Sequence, residues 1–328
     1  MIGAMERRTG ATQPQVLPSG ISAVVPVYRS AELLPELCRR ISAALSELTS
    51  AWEIVLVEDA SPDGSWAVIE GLATIDPRIR GVRLSRNYGQ HNALLCGIRV
   101  ARYELTVTLD DDLQNPPEEI GKLVALLTPD IDVVYGTPTS EEHGFLRDQA
   151  SRITNLALQD AMGADVARHV STFRAFRTRL RDAFPAYRGP HVSIDVLLTW
   201  GTTRFAHATV SHDPRRVGAS GYTFRKLFTH ALNMMTGFST LPLQVASVIG
   251  FVLTAFGFVI LVYVIGSFVA NGGSEVPGFA FLASIIAIFS GAQLFALGVI
   301  GEYLARIHFR TMDRPSYLVR NDTTPRDD

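Results

Sequence analysis

Two windows in the last third of the chain, Leu243 to Phe268 and Phe279 to Ile300, contain no Lys, Arg, Asp or Glu. Each exceeds the roughly 20 apolar residues that a bilayer crossing needs, and amphipathic core helices seldom run so far without charge. Both therefore predict transmembrane helices. Glycines at 250, 257, 266, 291 and 298 suit close helix packing in lipid. The loop between the windows, Asn271 to Pro277, carries no positive charge, whereas Arg215, Arg216, Arg225 and Lys226 precede the first helix and Arg306, Arg310 and Arg314 follow the second. Positive flanks stay inside, so both ends are expected to face the cytoplasm of an inner-membrane protein.

Ahead of the first window, Tyr222 to Gly237 places Phe224, Leu227, Phe228, Leu232 and Met235 near one face, with Arg225, Lys226 and His230 elsewhere. That is the pattern of an interfacial helix lying on the bilayer, or of a helix packed inside the soluble domain. The expected organisation is a loose tail over 1–20, a cytoplasmic domain over 21–221, an interfacial amphipathic helix over 222–240, a two-helix membrane region over 241–303 and a C-terminal tail over 304–328. The first twenty residues lack an apolar signal core. Cys38 and Cys96 fall in expected helices without metal-like spacing, which predicts reduced, structural thiols. A net charge of −2 gives no argument for nucleic acid as a partner.

The 21–221 region alternates β-branched runs with helical patterns. Strands are expected at Ile21 to Val27, Glu53 to Val57, Gly81 to Leu84, Leu105 to Leu109 and Ile131 to Tyr135, with helices at Ala31 to Leu48, Ser65 to Ala73, Gln90 to Ala101 and Pro117 to Leu127. This alternation implies an α/β domain whose mostly parallel sheet is flanked by helices. Further on, a helix is expected from about Phe145 to Met162, a strand near Ser171 to Phe176, a helix near Val192 to Trp200 and a strand near Phe205 to Val210.

Ligands of such sheets gather beyond the carboxyl ends of the strands, where Pro26 and Tyr28, Glu58 and Asp59, Arg86 and Asn87, and Asp110 to Gln114 all lie. In the stretch Leu109-Asp110-Asp111-Asp112-Leu113-Gln114-Asn115-Pro116-Pro117-Glu118, acids follow an apolar strand and stop at a Pro-Pro helix start. Hard oxygen ligands there suit Mg²⁺ or Mn²⁺ holding a diphosphate, rather than zinc. An enzyme acting on a nucleotide-linked substrate is the reading that follows.

In their order, Val25-Pro26-Val27-Tyr28, Val57 to Gly64, Arg86-Asn87-Tyr88-Gly89, Asp110 to Glu119, Arg215 to Tyr222 and Gly301-Glu302-Tyr303 resemble the family 2 glycosyltransferases, in the branch that acts on polyprenyl phosphates. The resemblance covers nearly the whole chain from Ile21 to about Tyr317. It implies a GT-A fold, a nucleotide-sugar donor, a polyprenyl phosphate acceptor such as undecaprenyl phosphate, the lipid bilayer as a partner, and a homo-oligomer. It also implies site roles. Pro26, Tyr28 and Asp59 would hold the nucleotide, with Glu58 beside them where the family often has Asp. For Asp59 an Asx turn before the next helix is the alternative. Asp110, Asp112 and Gln114 would be the metal ligands, with Asp111 turned aside because alternate residues at a strand end point oppositely. Arg147 and Ser151 would grip the acceptor phosphate, and Arg215, backed by Arg216 and with Ser220, would close on the diphosphate, a juxtamembrane contact to anionic lipid headgroups being the alternative for the arginines.

The chain departs from the family at several points: Arg168 stands where bacterial relatives carry Asp, Thr139 where dolichol-type enzymes carry Arg, and Gly221 where Lys follows the serine. Arg168 is then expected to bind phosphate. A phosphate monoester, with its second pKa near 6, needs docking charge more than a base. The expected function is metal-dependent, inverting sugar transfer from a nucleotide-sugar to a polyprenyl phosphate at the cytoplasmic membrane face. The alternative is transfer to a lipid hydroxyl, which would need a base such as Asp165, Asp195 or Asp213.

Overall fold

Strand β1, Ile21–Val27, is rich in β-branched residues (Ile21, Val24, Val25, Val27) and is buried at every position, which places it mid-sheet with both faces covered. The computed structural model describes residues 19–138, 169–189, 192–213, 241–270 and 279–323. Within them β2 (Trp52–Glu58), β3 (Ile79–Leu84), β4 (Leu105–Thr108), β5 (Val133–Pro138), β6 (Arg174–Arg177), β7 (Phe205–Val210) and β8 (Val319–Asp322) join β1 in one sheet of order β7-β5-β6-β4-β1-β2-β3-β8. The pairs β1–β2, β1–β4, β2–β3 and β5–β7 are parallel. Strand β6 runs against both β4 and β5, and β8 runs against β3.

Helices α1 (Leu34–Leu48), α2 (Ser65–Ile75), α3 (Gln90–Val100), α4 (Ile120–Ala125) and α5 (Ile194–Thr199) flank the sheet. Two buried clusters result, one centred on α1 and the other on α3 and α5. Cys38 and Cys96 are free and buried in these layers, and burial pushes each thiol up to about 12. Helix α1 starts later than its apolar pattern, because residues 31–33 form a turn. Residues 117–119 open as a 3-10 turn before α4.

Pro26 shapes the sheet's carboxyl edge. Leu109 N–H donates to the Val24 carbonyl at 3.3 Å, so by strand alternation Pro26 turns its missing donor toward β4, where pairing stops at Thr108. Strands β1 and β4 part there, and the acid-rich loop occupies the opening.

Helices α6 (Leu241–Ala270) and α7 (Phe279–Thr311) contain the two candidate membrane spans, Leu243–Ser267 and Ile288–Ala305. Phe251, Tyr263 and Leu294 stand outward and exposed, as lipid-facing residues do. A Cβ on Gly257 would lie 2.8 Å from the Phe289 ring, so this glycine permits close approach of the pair. Gly250, Gly266, Gly291 and Gly298 face open space instead, so the packing role expected of all five holds for one.

The C-terminal residues form more than a tail. Helix α7 runs past the apolar window to Thr311, and β8 then covers the edge of β3. Ser85 N–H donates to Leu318 O at 2.8 Å, and Gly81 N–H donates to Thr323 Oγ1 at 2.8 Å. Strands β7 and β8 are thus the two sheet edges, and they are also the strands that lead into and out of the helix pair. Because β7 runs parallel to β1 in sense and β8 runs opposite, both connections leave from the sheet's carboxyl edge.

Candidate active site

Four loops meet at that edge, following β1, β2, β3 and β4. Among the described residues, three of the four non-glycine positions with positive φ lie in them: Arg29 at 60°, Ala60 at 49° and Leu113 at 59°. Such left-handed backbone persists only where surroundings over-determine it, and it concentrates at functional sites. Leu113 shows how. Its side chain is 1% exposed in the main core, an anchor that holds Asp112 and Gln114 on either side of it at the surface.

The three acids have separate surroundings. Asp111 accepts from the Tyr28 N–H at 2.9 Å and from the Ser30 hydroxyl, so it is turned toward the β1 loop. Asp110 accepts from Gln90 Nε2 at 2.6 Å and from Thr172 Oγ1 at 2.6 Å. Burial pushes its carboxyl up to about 6, with Asp112 and Asp111 adding repulsion, while the Thr172 hydroxyl and the Arg174 charge oppose the rise. Asp112 Oδ1 accepts from the Gln114 N–H at 3.2 Å. Gln114 in turn meets the end of β7: its carbonyl accepts the Asp213 N–H at 2.8 Å, and its amide nitrogen lies 3.4 Å from His212 Nε2.

Among the described residues no group of three or more His, Cys, Asp or Glu side chains is arranged to hold a metal. The donor chemistry of Asp110, Asp112 and the Gln114 amide oxygen nevertheless fits a hard dication. All three donors are oxygen, and a cation there would offset both the burial and the lesser Asp112 and Asp111 repulsion that disfavour the Asp110 carboxylate.

On the far side of β1 the expected nucleotide residues divide. Pro26 is buried and Tyr28 is 41% exposed at the edge. Asp59, 3% exposed, accepts the Tyr88 N–H and the Gly89 N–H at 2.7 Å each. Burial raises its pKa, and those two bonds oppose the rise. Asp59 therefore pins the Arg86 to Gly89 loop, a longer-range bond than the local Asx turn. The turn beside it belongs to Asp63, which accepts from Ser61 and Ser65 and from the Ala31 N–H at 3.2 Å. Glu58 is fully buried, bonded to the Ser61 N–H and to Arg83 Nε at 3.1 Å. Its place is under the loop rather than at the open edge.

Arg147, Ser151, Arg168, Arg215 and Ser220, with Thr139 and the interfacial helix, lie outside the described residues. Asp195, a candidate base, is buried and bonded to Arg174 and, at 3.1 Å, to the Tyr135 hydroxyl. His91 accepts the Ile194 N–H at 3.4 Å, joining α3 to α5.

Sequence reasoning missed Gln90, Thr172 and Ser30 as holders of the acids. Gln90 opens α3 and Thr172 precedes β6, so only sheet order brings them to Asp110.

Residues 22–185 match the family described as Glycosyl transferase family 2. The chain is 36% identical over 303 residues to an undecaprenyl-phosphate 4-deoxy-4-formamido-L-arabinose transferase of Sodalis glossinidius, covering 92% of this chain and 93% of that protein. A protein of the same name from Aeromonas hydrophila is 33% identical over 311 residues, covering 93% and 95%. Among solved structures, glucosyl-3-phosphoglycerate synthase from Mycobacterium tuberculosis in complex with Mn²⁺, UDP and phosphoglyceric acid aligns with a TM-score of 0.50 at 16% identity, covering 66% of this chain and 76% of that one. That last likeness is one of fold.

Proposed function

Since the chain belongs to glycosyl transferase family 2 and is itself a glycosyltransferase, we propose that it moves a sugar, with inversion, from a nucleotide-sugar to undecaprenyl phosphate at the cytoplasmic face of the inner membrane. One observation carries this reading. The acid loop lies on the sheet edge from which both connections to the apolar helices depart, and the end of β7 is bonded directly to Gln114. An acceptor whose phosphate sits at a bilayer surface meets the site on that edge. The names of the similar proteins supply the acceptor's chemistry.

Roles follow from the geometry. Tyr28 and the loop pinned by Asp59 would receive the nucleoside, the ring packing against the base. Asp110, Asp112 and Gln114 would hold Mg²⁺ or Mn²⁺, as the Mn²⁺ and UDP in the similar fold suggest. Such a cation neutralises charge on the departing nucleoside diphosphate. Arg215 and Ser220 would close on the diphosphate, and Arg147, Ser151 and Arg168 would dock the acceptor. The acceptor phosphate, mostly dianionic at neutral pH, attacks the anomeric carbon without a strong base. That suits a site where the buried Asp195 is already engaged by Arg174 and Tyr135.

The test is to incubate purified full-length protein and Mg²⁺ or Mn²⁺ with a panel of nucleotide sugars and undecaprenyl phosphate, then read product masses. A mass of undecaprenyl phosphate plus one sugar is expected. Turnover confined to a hydroxyl-bearing lipid refutes the acceptor assignment.

A further inference from the structure

Arg29 is held in a costly backbone conformation, yet no acid among the described residues pairs with its charge. Its φ of 60° is left-handed, a region that favours glycine or asparagine over a long side chain. The flanking loop is fixed on both sides. Tyr28 N–H and Ser30 Oγ bond to Asp111 in the β4 loop, and Arg29 N–H donates to Ser61 Oγ of the β2 loop at 2.8 Å. These bonds over-determine the strained residue, tying its backbone to both the acid loop and the Asp59 loop while its side chain stays exposed. The guanidinium stands 5.4 Å from the centre of the Tyr28 ring. The carboxylates of the loops bonded to its backbone are engaged by other donors: Asp111 by Tyr28 and Ser30, Asp63 by Ser61, Ser65 and Ala31.

We infer that Arg29 binds a substrate phosphate, its planar fork serving the anion while Tyr28 supports its face. A guanidinium matches phosphate geometry bidentately and stacks on aromatic rings, and a fold that tolerates strain to present one is presenting it to an anion. The inference rests on the functional reading above, and two phosphates fit it: the donor's diphosphate and the acceptor's monoester.

Arg29→Gly separates strain from function, since glycine accepts φ of 60° freely. Its thermal midpoint, measured on full-length protein with Mn²⁺ and no substrate, is expected to equal or exceed the wild type's. Affinity for nucleoside diphosphate, or KM for a short-chain prenyl monophosphate, is expected to weaken by about tenfold or more, the loss of a charge-assisted contact. Which of the two moves identifies the phosphate. Binding of the nucleoside without phosphates should stay unchanged, and Arg29→Lys should recover part of the loss. Wild-type values for every ligand in Arg29→Gly overturn the inference, as does equal weakening for nucleoside and nucleoside diphosphate. Wild-type protein that binds neither phosphate ligand sinks the functional reading, and this inference with it.

Discussion

Replacing Asp59 with asparagine tests whether this acid holds the Arg86 to Gly89 loop. Both of its oxygens accept backbone N–H groups at 2.7 Å, from Tyr88 and Gly89. Asparagine keeps one acceptor and turns an NH₂ donor toward the other amide, so one charge-assisted bond is lost and one buried N–H is stranded. Those losses would cost about 3–4 kcal/mol. Burial already disfavours the carboxylate, as its raised pKa records, and the neutral amide escapes that penalty. The net expectation is about 2 kcal/mol, or a midpoint lowered by roughly 4–8 °C for a domain of this size. Thermal unfolding of the full-length protein without nucleotide reads the stability, and hydrogen exchange reads the Tyr88 and Gly89 amides, which should lose protection. Asp59→Asn protein with an unchanged midpoint and protected amides, but weaker nucleotide binding, would refute the pinning argument and return Asp59 to direct base contact.

Asp112→Asn is expected to lower transfer more than about 100-fold and to weaken Mn²⁺ binding, with Asp111→Asn less severe because Asp111 is bonded to the β1 loop; metal titration and product masses distinguish the two. Asp132, 2% exposed, is raised by burial but lowered further by bonds from Thr202, Arg204 and Arg179 and by the Arg204 charge, so its net pKa is below the usual value. A depressed carboxyl contributes stability that is complete above its unfolded pKa of about 3.9 and is lost as pH falls through the lower folded value. Asp132→Asn should therefore flatten the acid limb of the midpoint-versus-pH curve, and an unaltered limb would refute this. Removing the Tyr317 side chain (Y317A) should destabilise by about 2–4 kcal/mol and open the 0% exposed Cys96 to a thiol reagent, since Tyr317 contacts Cys96 and Arg99; unchanged thiol protection would refute this covering role of Tyr317.

Strand positions in the first half were legible because β-branched runs such as Ile21 to Val27 are buried on both faces and admit no helical period. Asp111 is turned toward the β1 loop, but β4 ends at Thr108 and residue 111 lies in a turn, so its direction comes from the Tyr28 and Ser30 bonds rather than from strand alternation. Strand β8 was not legible. Its sequence Val319 to Asp322 is exposed and polar at three of its four positions, and it becomes a strand only because β3 offers an unpaired edge. Glu58 and Asp59 are adjacent acids that read alike in sequence, yet β2 sends one beneath the loop and the other to the Tyr88 and Gly89 amides.

By itself the sequence determined the classes of structure, since charge-free length and residue period are properties of the chain: two apolar helices after an α/β domain, with acids at a strand end. Tertiary structure decided which acids bond to whom, that Gln90 and Thr172 hold Asp110, and that both edge strands lead to the helix pair. These depend on strand order and side-chain direction, and non-local partners leave no periodic trace in the residues that meet.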